Sequence, residues 1–432
     1  MEKNYIIFGL RKRVKMYEEI VDDILELDHD IVEDYWKNKA EVPLLTKEPF
    51  DSYEEGPPDE DVITMKIDTR DAQSRNPMNA LVCASTGVGK TRLIKNIIKG
   101  YYKQGYKILI FEPKSIEMLN AKKIGKGRRL HRLDKNEKLP IVGYCPNYIK
   151  NYLTINFPSM LKQVKFYSPS IKKLNYVEIW QSMGVPIKPA SFIIEMIEKG
   201  HKDIDYLYKN IYSKTLHAMT KQAALSSLDS IKATNFFGTK KILPLEEEWN
   251  KGNIVAIEYF SRDGTLMNSD IGLVLDLVRD IGLKESRKGL KNITKKLLVF
   301  DDAFYYAGMS STMATKFSGG INLAIRNIAN CQNNFRTWGI DTIFTVQSPD
   351  SNAIAQSLID GCTTKLVSYV ENPSALQNKL PYRAYSLLNP DKPGSPTLYV
   401  DETNYVFQWI YVKGKTRFQT GFSLDCSVGH SN

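Results

Sequence analysis

Apolar positions along this chain follow two periods, one helical and one of strand type. Between residues 10 and 38, Val14, Tyr17, Val21, Ile24, Leu25, Ile31, Val32 and Tyr35 fall at helical spacing among charges. That pattern predicts a helix whose apolar face docks or mediates oligomer contact. Residues 41–60 carry Pro43, Pro49, Pro57 and Pro58 among many acids and read as a linker. The segment 62–67 alternates and predicts a strand. Short apolar runs at 80–83, 107–111, 253–259, 296–300, 342–346 and 365–370 then alternate with helix-period segments at 92–98, 269–287 and 321–335. Runs apolar on both faces belong to strands covered on both sides, so the pattern predicts an α/β fold with a mostly parallel central sheet. Within 150–250 helix spacing dominates, at 190–199, 204–212 and 216–232. The predicted organisation is a helical N-terminal extension with linker over 1–60, then one α/β domain over 61–432. A basic loop and a mostly helical insertion at 120–250 interrupt that domain.

The chemistry concentrates at strand ends. The run at 80–83 leads into Ala84-Ser85-Thr86-Gly87-Val88-Gly89-Lys90-Thr91, followed by Arg92 and the helix-period segment. This is a phosphate-binding loop with Ala at its first glycine position, in the strand–loop–helix context such a loop requires. Gly87 and Gly89 let backbone N–H groups converge on a phosphate, and the helix that follows adds its positive end. Lys90 reaches the β- and γ-phosphates of ATP, and the Thr91 hydroxyl is a ligand for Mg²⁺. Residues 85–92 are therefore the expected nucleotide-binding set.

A second signal is Leu297-Leu298-Val299-Phe300-Asp301-Asp302. A buried strand ending in two carboxylates places them where open α/β sheets bind ligands. Asp301 is the expected metal partner of Thr91, and Asp302 the group that positions or deprotonates the attacking water. A third strand ends Val346-Gln347-Ser348-Pro349. Gln347 reads either as a sensor of the γ-phosphate or as a hydrogen-bonded loop amide. Arg326 and Arg336 are both candidates for an arginine that stabilises the transition state.

Composition narrows the class. The chain has 432 residues, 42% hydrophobic and 25% charged, with a formal net charge of +10. Such a charge favours a polyanionic partner, nucleic acid or an anionic membrane surface. The basic run at 122–132 can track a phosphate backbone or serve as a solvated surface. The five cysteines, at 83, 145, 331, 362 and 426, have no metal or redox spacing, and the five histidines are dispersed. No apolar stretch reaches membrane-spanning length, and Met1-Glu2-Lys3-Asn4 does not open a signal peptide. The expectation is a protein without stable membrane insertion, in the cytoplasm, or the host cytoplasm if viral.

The order of these elements resembles the FtsK–HerA superfamily of RecA-like DNA-pumping ATPases. It runs from phosphate loop to Phe111-Glu112-Pro113-Lys114, a long insertion, the Asp301-Asp302 strand, Arg336-Thr337-Trp338-Gly339, and the Gln347 strand. The resemblance covers about 77–115 and 253–370; Glu112 stands where the family usually carries Asp. It implies a RecA-like core, a hexameric ring around double-stranded DNA, and Arg336 as the arginine offered to a neighbouring subunit. Within the family it favours genome packaging or HerA-like processing, with a capsid or nuclease partner, over a conjugative coupling ATPase. A nucleotide-dependent assembly protein is the alternative from another class.

Overall fold

The computed structural model describes residues 39–46, 62–72, 77–113, 139–169, 174–201, 203–237, 241–260, 264–307, 323–348, 356–388, 399–400, 405–406, 408–413 and 417–423. The helix expected over 10–38, the basic loop at 122–132, Lys114 and Pro349 lie outside the described residues.

The apolar runs form the strands of one sheet. In chain order these are β1 (Lys39–Thr46), β2 (Val62–Asp68), β3 (Asn79–Cys83), β4 (Lys107–Glu112), β5 (Ile141–Pro146), β6 (Val164–Tyr167) and β7 (Ile254–Glu258). They continue with β8 (Lys296–Phe300), β9 (Ile340–Val346), β10 (Thr364–Val367), the separate ribbon β11 (Tyr399–Val400) with β12 (Tyr405–Val406), β13 (Gln408–Lys413) and β14 (Arg417–Ser423). The sheet order is β2-β1-β14-β13-β10-β3-β9-β8-β4-β7-β5-β6. From β10 to β6 every neighbouring pair is parallel. The β13, β14, β1 and β2 end is antiparallel. Strands β3, β7, β8 and β9 are buried at every position. Cover on both faces is why β3, β7 and β8 show near-continuous apolar runs and no alternation.

Two expected boundaries shift. The linker expected over 41–60 begins with most of β1. Pro43 is tolerated there because the β1–β2 register shifts between Pro43 and Leu45, and β14 pairs only with Leu45 and Thr46. Proline lacks a ladder donor, and an irregular position does not need one. The interruption expected over 120–250 also contains β5 and β6, which extend the parallel sheet. The helical insertion proper is shorter, running between β6 and β7.

Its helices α2 (Val177–Ser182), α3 (Ile187–Glu198), α4 (Ile204–Ser213) and α5 (Ala218–Ala233) follow α1 (Lys90–Lys103) of the core. They bury a cluster of their own, including Trp180, Ile193, Leu207, Leu228 and Phe236. The cluster roots on the core through Leu266 of α6 (Gly264–Arg287) and Leu323 of α7 (Leu323–Asn333). Those two helices approach closely at Gly272, where a Cβ would stand 2.4 Å from Leu323 Cγ. Asn327 Nδ2 donates to Gly272 O at 2.8 Å in the same place.

Candidate nucleotide site

β3 delivers the loop to the carboxyl edge of the sheet. Gly87 and Gly89 take left-handed backbone, φ 88° and 97°, which glycine adopts without strain. Gly89 is the N-cap of α1, and that helix end has no side-chain cap and no acid in its first turn. Its N–H groups and positive dipole end are thus kept for an anion. The start of the loop is pinned to the β9 end and to the segment after β10. Ala84 N donates to Val346 O at 3.2 Å and Ser85 N to Tyr369 O at 2.8 Å. Lys90 Nζ donates to Ala84 O at 2.6 Å and Ser85 O at 3.0 Å, which folds the ammonium back over the loop. Thr86 and Gly87 are exposed, Val88 is buried under the loop, and Thr91 and Arg92 stand in the first turn of α1.

The loop strand and the acid strand are not neighbours. β9 lies between β3 and β8, with Cys83 opposite Val346 and Phe300 opposite Phe344. At about 4.8 Å per strand, the loop and the acids sit about 10 Å apart across the carboxyl edge. A triphosphate tail with its metal spans a gap of that size. Gln347 follows directly on β9, in the middle of it.

The acids are held from β9. Asp301 is 8% exposed, and its Oδ1 accepts from the Thr345 hydroxyl at 2.5 Å. Asp301 N donates to Phe111 O at 3.0 Å. Asp302 has φ 39°, a left-handed conformation rare outside glycine. Its N–H donates to Thr345 Oγ1 at 2.7 Å. Gln347 Nε2 donates to Asp302 Oδ1 at 3.3 Å. One hydroxyl therefore holds the Asp301 carboxylate and the Asp302 backbone, and the amide at the strand tip touches the Asp302 carboxylate. Sequence reasoning missed Thr345. A threonine two residues before a strand tip carries no signal until the sheet order is known.

One residue down, Phe111, Phe300 and Phe344 stack across β4, β8 and β9 with ring centroids 5.1 and 5.0 Å apart. Glu112 and Glu258 end β4 and β7 side by side in register, 1% and 0% exposed.

The two arginines part company. Arg326 of α7 pairs with Glu178 at 3.4 Å and lies over the Tyr176 ring, against the helical insertion. It is engaged away from the phosphate loop. Arg336 lies in α8 (Phe335–Trp338), at the amino end of β9. The seven residues of β9 separate it from the loop of its own chain by about 23 Å. The turn between them needs Gly339, φ 67°, because a Cβ there would stand 2.6 Å from Thr294 O.

Thr91 and Asp301 offer hard oxygen donors, the type that suits Mg²⁺ completed by water and phosphate. Among the described residues no group of three or more His, Cys, Asp or Glu could hold a metal by itself. No described helix is long and apolar enough to cross a membrane.

No protein-family profile matches the sequence, and no curated protein matches it. Solved structures are similar to it. The plasmid coupling protein TrwB, in complex with a non-hydrolysable ATP analogue, shares 12% identity over 82% of this chain and 86% of its own, TM-score 0.49. VirB4 of Thermoanaerobacter pseudethanolicus shares 13% over 88% of this chain and 98% of its own, TM-score 0.47. The genome packaging NTPase B204 of Sulfolobus turreted icosahedral virus 2, in complex with AMPPCP, shares 9% over 81% and 98%, TM-score 0.36. By its own strand order, with β9 between loop strand and acid strand, the chain has the RecA-like P-loop fold that its resemblance to the FtsK–HerA superfamily implied.

Proposed function

We propose that this chain is an Mg²⁺-dependent ATPase that moves double-stranded DNA through an oligomeric ring, in genome packaging or HerA-like DNA processing. One observation carries the reading. The phosphate loop, the Asp301–Asp302 pair and Gln347 meet at the carboxyl edge of three adjacent strands, with a bond from Gln347 to Asp302. A plain strand-to-loop transition does not need two acids clamped by a buried threonine and contacted by an amide.

In this reading the N–H groups of residues 86–91 and the α1 terminus bind the β-phosphate, and Lys90 neutralises charge between β and γ. Thr91 and Asp301 hold Mg²⁺, which when bound offsets the charge on the phosphate oxygens. Asp302 orients the attacking water and takes its proton. Gln347 bridges Asp302 and the γ-phosphate, so loss of that phosphate changes the β9 tip. Arg336 sits too far from its own loop to act there; a neighbouring subunit's loop is the place where it serves. That supports a ring, and the family resemblance points to six subunits. The net charge of +10 supports duplex DNA as the polymer held.

The test is steady-state ATP hydrolysis with and without linear duplex DNA. Native protein is expected to hydrolyse ATP faster with DNA, and Lys90→Ala to lose turnover while keeping its circular-dichroism spectrum. Turnover retained in Lys90→Ala counts against the site. Turnover indifferent to DNA counts against pumping and favours nucleotide-controlled assembly. Mixing Arg336→Ala with Lys90→Ala subunits should restore part of the activity only if the arginine acts between subunits.

A further inference from the structure

A cavity of about 550 Å³ opens between the helical insertion, the end of β6 and α6. It lies six strand positions from β3 in the sheet order, so about 29 Å from the phosphate loop. Nothing in the nucleotide reading uses it.

The floor of this cavity is Asp270, which is 0% exposed. Its Oδ2 accepts from the Tyr167 and Tyr259 hydroxyls. Its Oδ1 is buried and, among the described residues, has no hydrogen-bond partner. On α6 above it, Arg279 is already paired, to Asp276 at 2.8 Å and Asp280 at 3.3 Å, and Tyr176 also bonds Asp276. Arg326 pairs with Glu178 at 3.4 Å, yet among the described residues its buried Nε donor has no acceptor. Four carboxylates thus face two guanidiniums around the cavity, and both guanidiniums are engaged by acids other than Asp270. The rest of the wall includes Leu243, Leu273, Val274 and Leu277.

A buried carboxylate oxygen without a donor costs free energy that a charged N–H group would recover. We infer that this cavity binds an aliphatic cation, a primary ammonium or guanidinium on a hydrocarbon stem. Its N–H donates to Asp270 Oδ1, and its stem lies along Leu273, Val274 and Leu277. The cation comes either from a free small amine or from a lysine or arginine side chain of a partner protein.

The experiment is calorimetric titration of the full chain with spermidine, with agmatine, and with a short capped peptide containing one arginine. At least one of them is expected to bind one to one. Burial raises the Asp270 carboxyl to about 7, while the ligand stays cationic across the range. Affinity is therefore expected to fall about tenfold from about pH 8 to about pH 6, as the carboxylate is protonated. Asp270→Asn should weaken binding at least about tenfold. Leu273→Phe, which fills the cavity from an apolar wall, should weaken it too, and gives the readout should Asp270→Asn fail to fold. Binding of the free amines identifies a small ligand, and binding of the peptide alone identifies a partner side chain. Absence of binding by all three up to about 10 mM, an affinity unchanged with pH, or native affinity in the folded variants would overturn the inference.

Discussion

At the scale of single residues, Thr345 has the most to answer for. It links the two acids, and it supplies the bond that holds Asp302 in a left-handed conformation. Non-glycine residues in such conformations cost about 1–3 kcal/mol and persist only where their surroundings enforce them. Thr345→Val keeps shape and removes the hydroxyl. We expect it to lower kcat for ATP by about 10- to 100-fold with a smaller change in KM. It should also lower stability by about 1–3 kcal/mol, because the Asp302 N–H loses its acceptor. Thr345→Ser should restore most of both, and a serine variant as poor as valine would remove the hydroxyl from the explanation.

Asp270 makes a prediction about pH. Burial raises its carboxyl from 3.8 to about 7, against the downward pull of Tyr167 and Tyr259. The folded chain keeps this proton to about pH 7, while the unfolded chain releases it near pH 4, so the native state binds more protons in between. Stability from this group therefore falls as pH rises from about 4 to about 7, and is level above. Asp270→Asn keeps an acceptor for the two tyrosines and removes the charge. Denaturant titrations at about pH 8 should find the variant more stable than native, by on the order of 4 kcal/mol at most. At about pH 4 the two should be equal within error.

At the scale of elements, the strands that carry the site are tied together one residue below it. The Phe111–Phe300–Phe344 stack spans three strands and fixes how their ends align. Phe300→Ala should cost about 3–5 kcal/mol, measured by urea unfolding, with the remaining folded protein binding ATP more weakly. The α6–α7 contact has the opposite sensitivity. Gly272→Ala would push a methyl against Leu323, and overpacking of that kind costs about 1–3 kcal/mol. Leu323→Ala should recover part of that loss if the clash is its source.

At the scale of the whole molecule, the sheet divides the labour. Its centre holds the candidate nucleotide site, and its β6 edge meets the helical insertion with the acidic cavity. The antiparallel strands from β13 to β2 close the opposite edge. DNA stimulation of hydrolysis should fall steeply with added salt, since phosphate contacts release counterions. A stimulation that is flat between about 50 and 200 mM salt would argue against an electrostatic grip on the polymer.

The division between sequence and structure has a physical cause. Asp301, Asp302 and Gln347 were legible as candidates because they stand where apolar runs stop, and Lys90 and Thr91 because they close the glycine loop. The glycines of the loop were legible because backbone with positive φ selects them. The sheet order, the role of Thr345, the parting of Arg326 from Arg336 and the Asp270 cavity were not legible. Each depends on which strand lies beside which, and on chain segments far apart in sequence packing together. Pro43 misled for the same reason, since only the register of β1 against its neighbours shows that no donor is needed there. Local chemistry thus wrote the parts of the site into the chain, and long-range packing alone decided their neighbours.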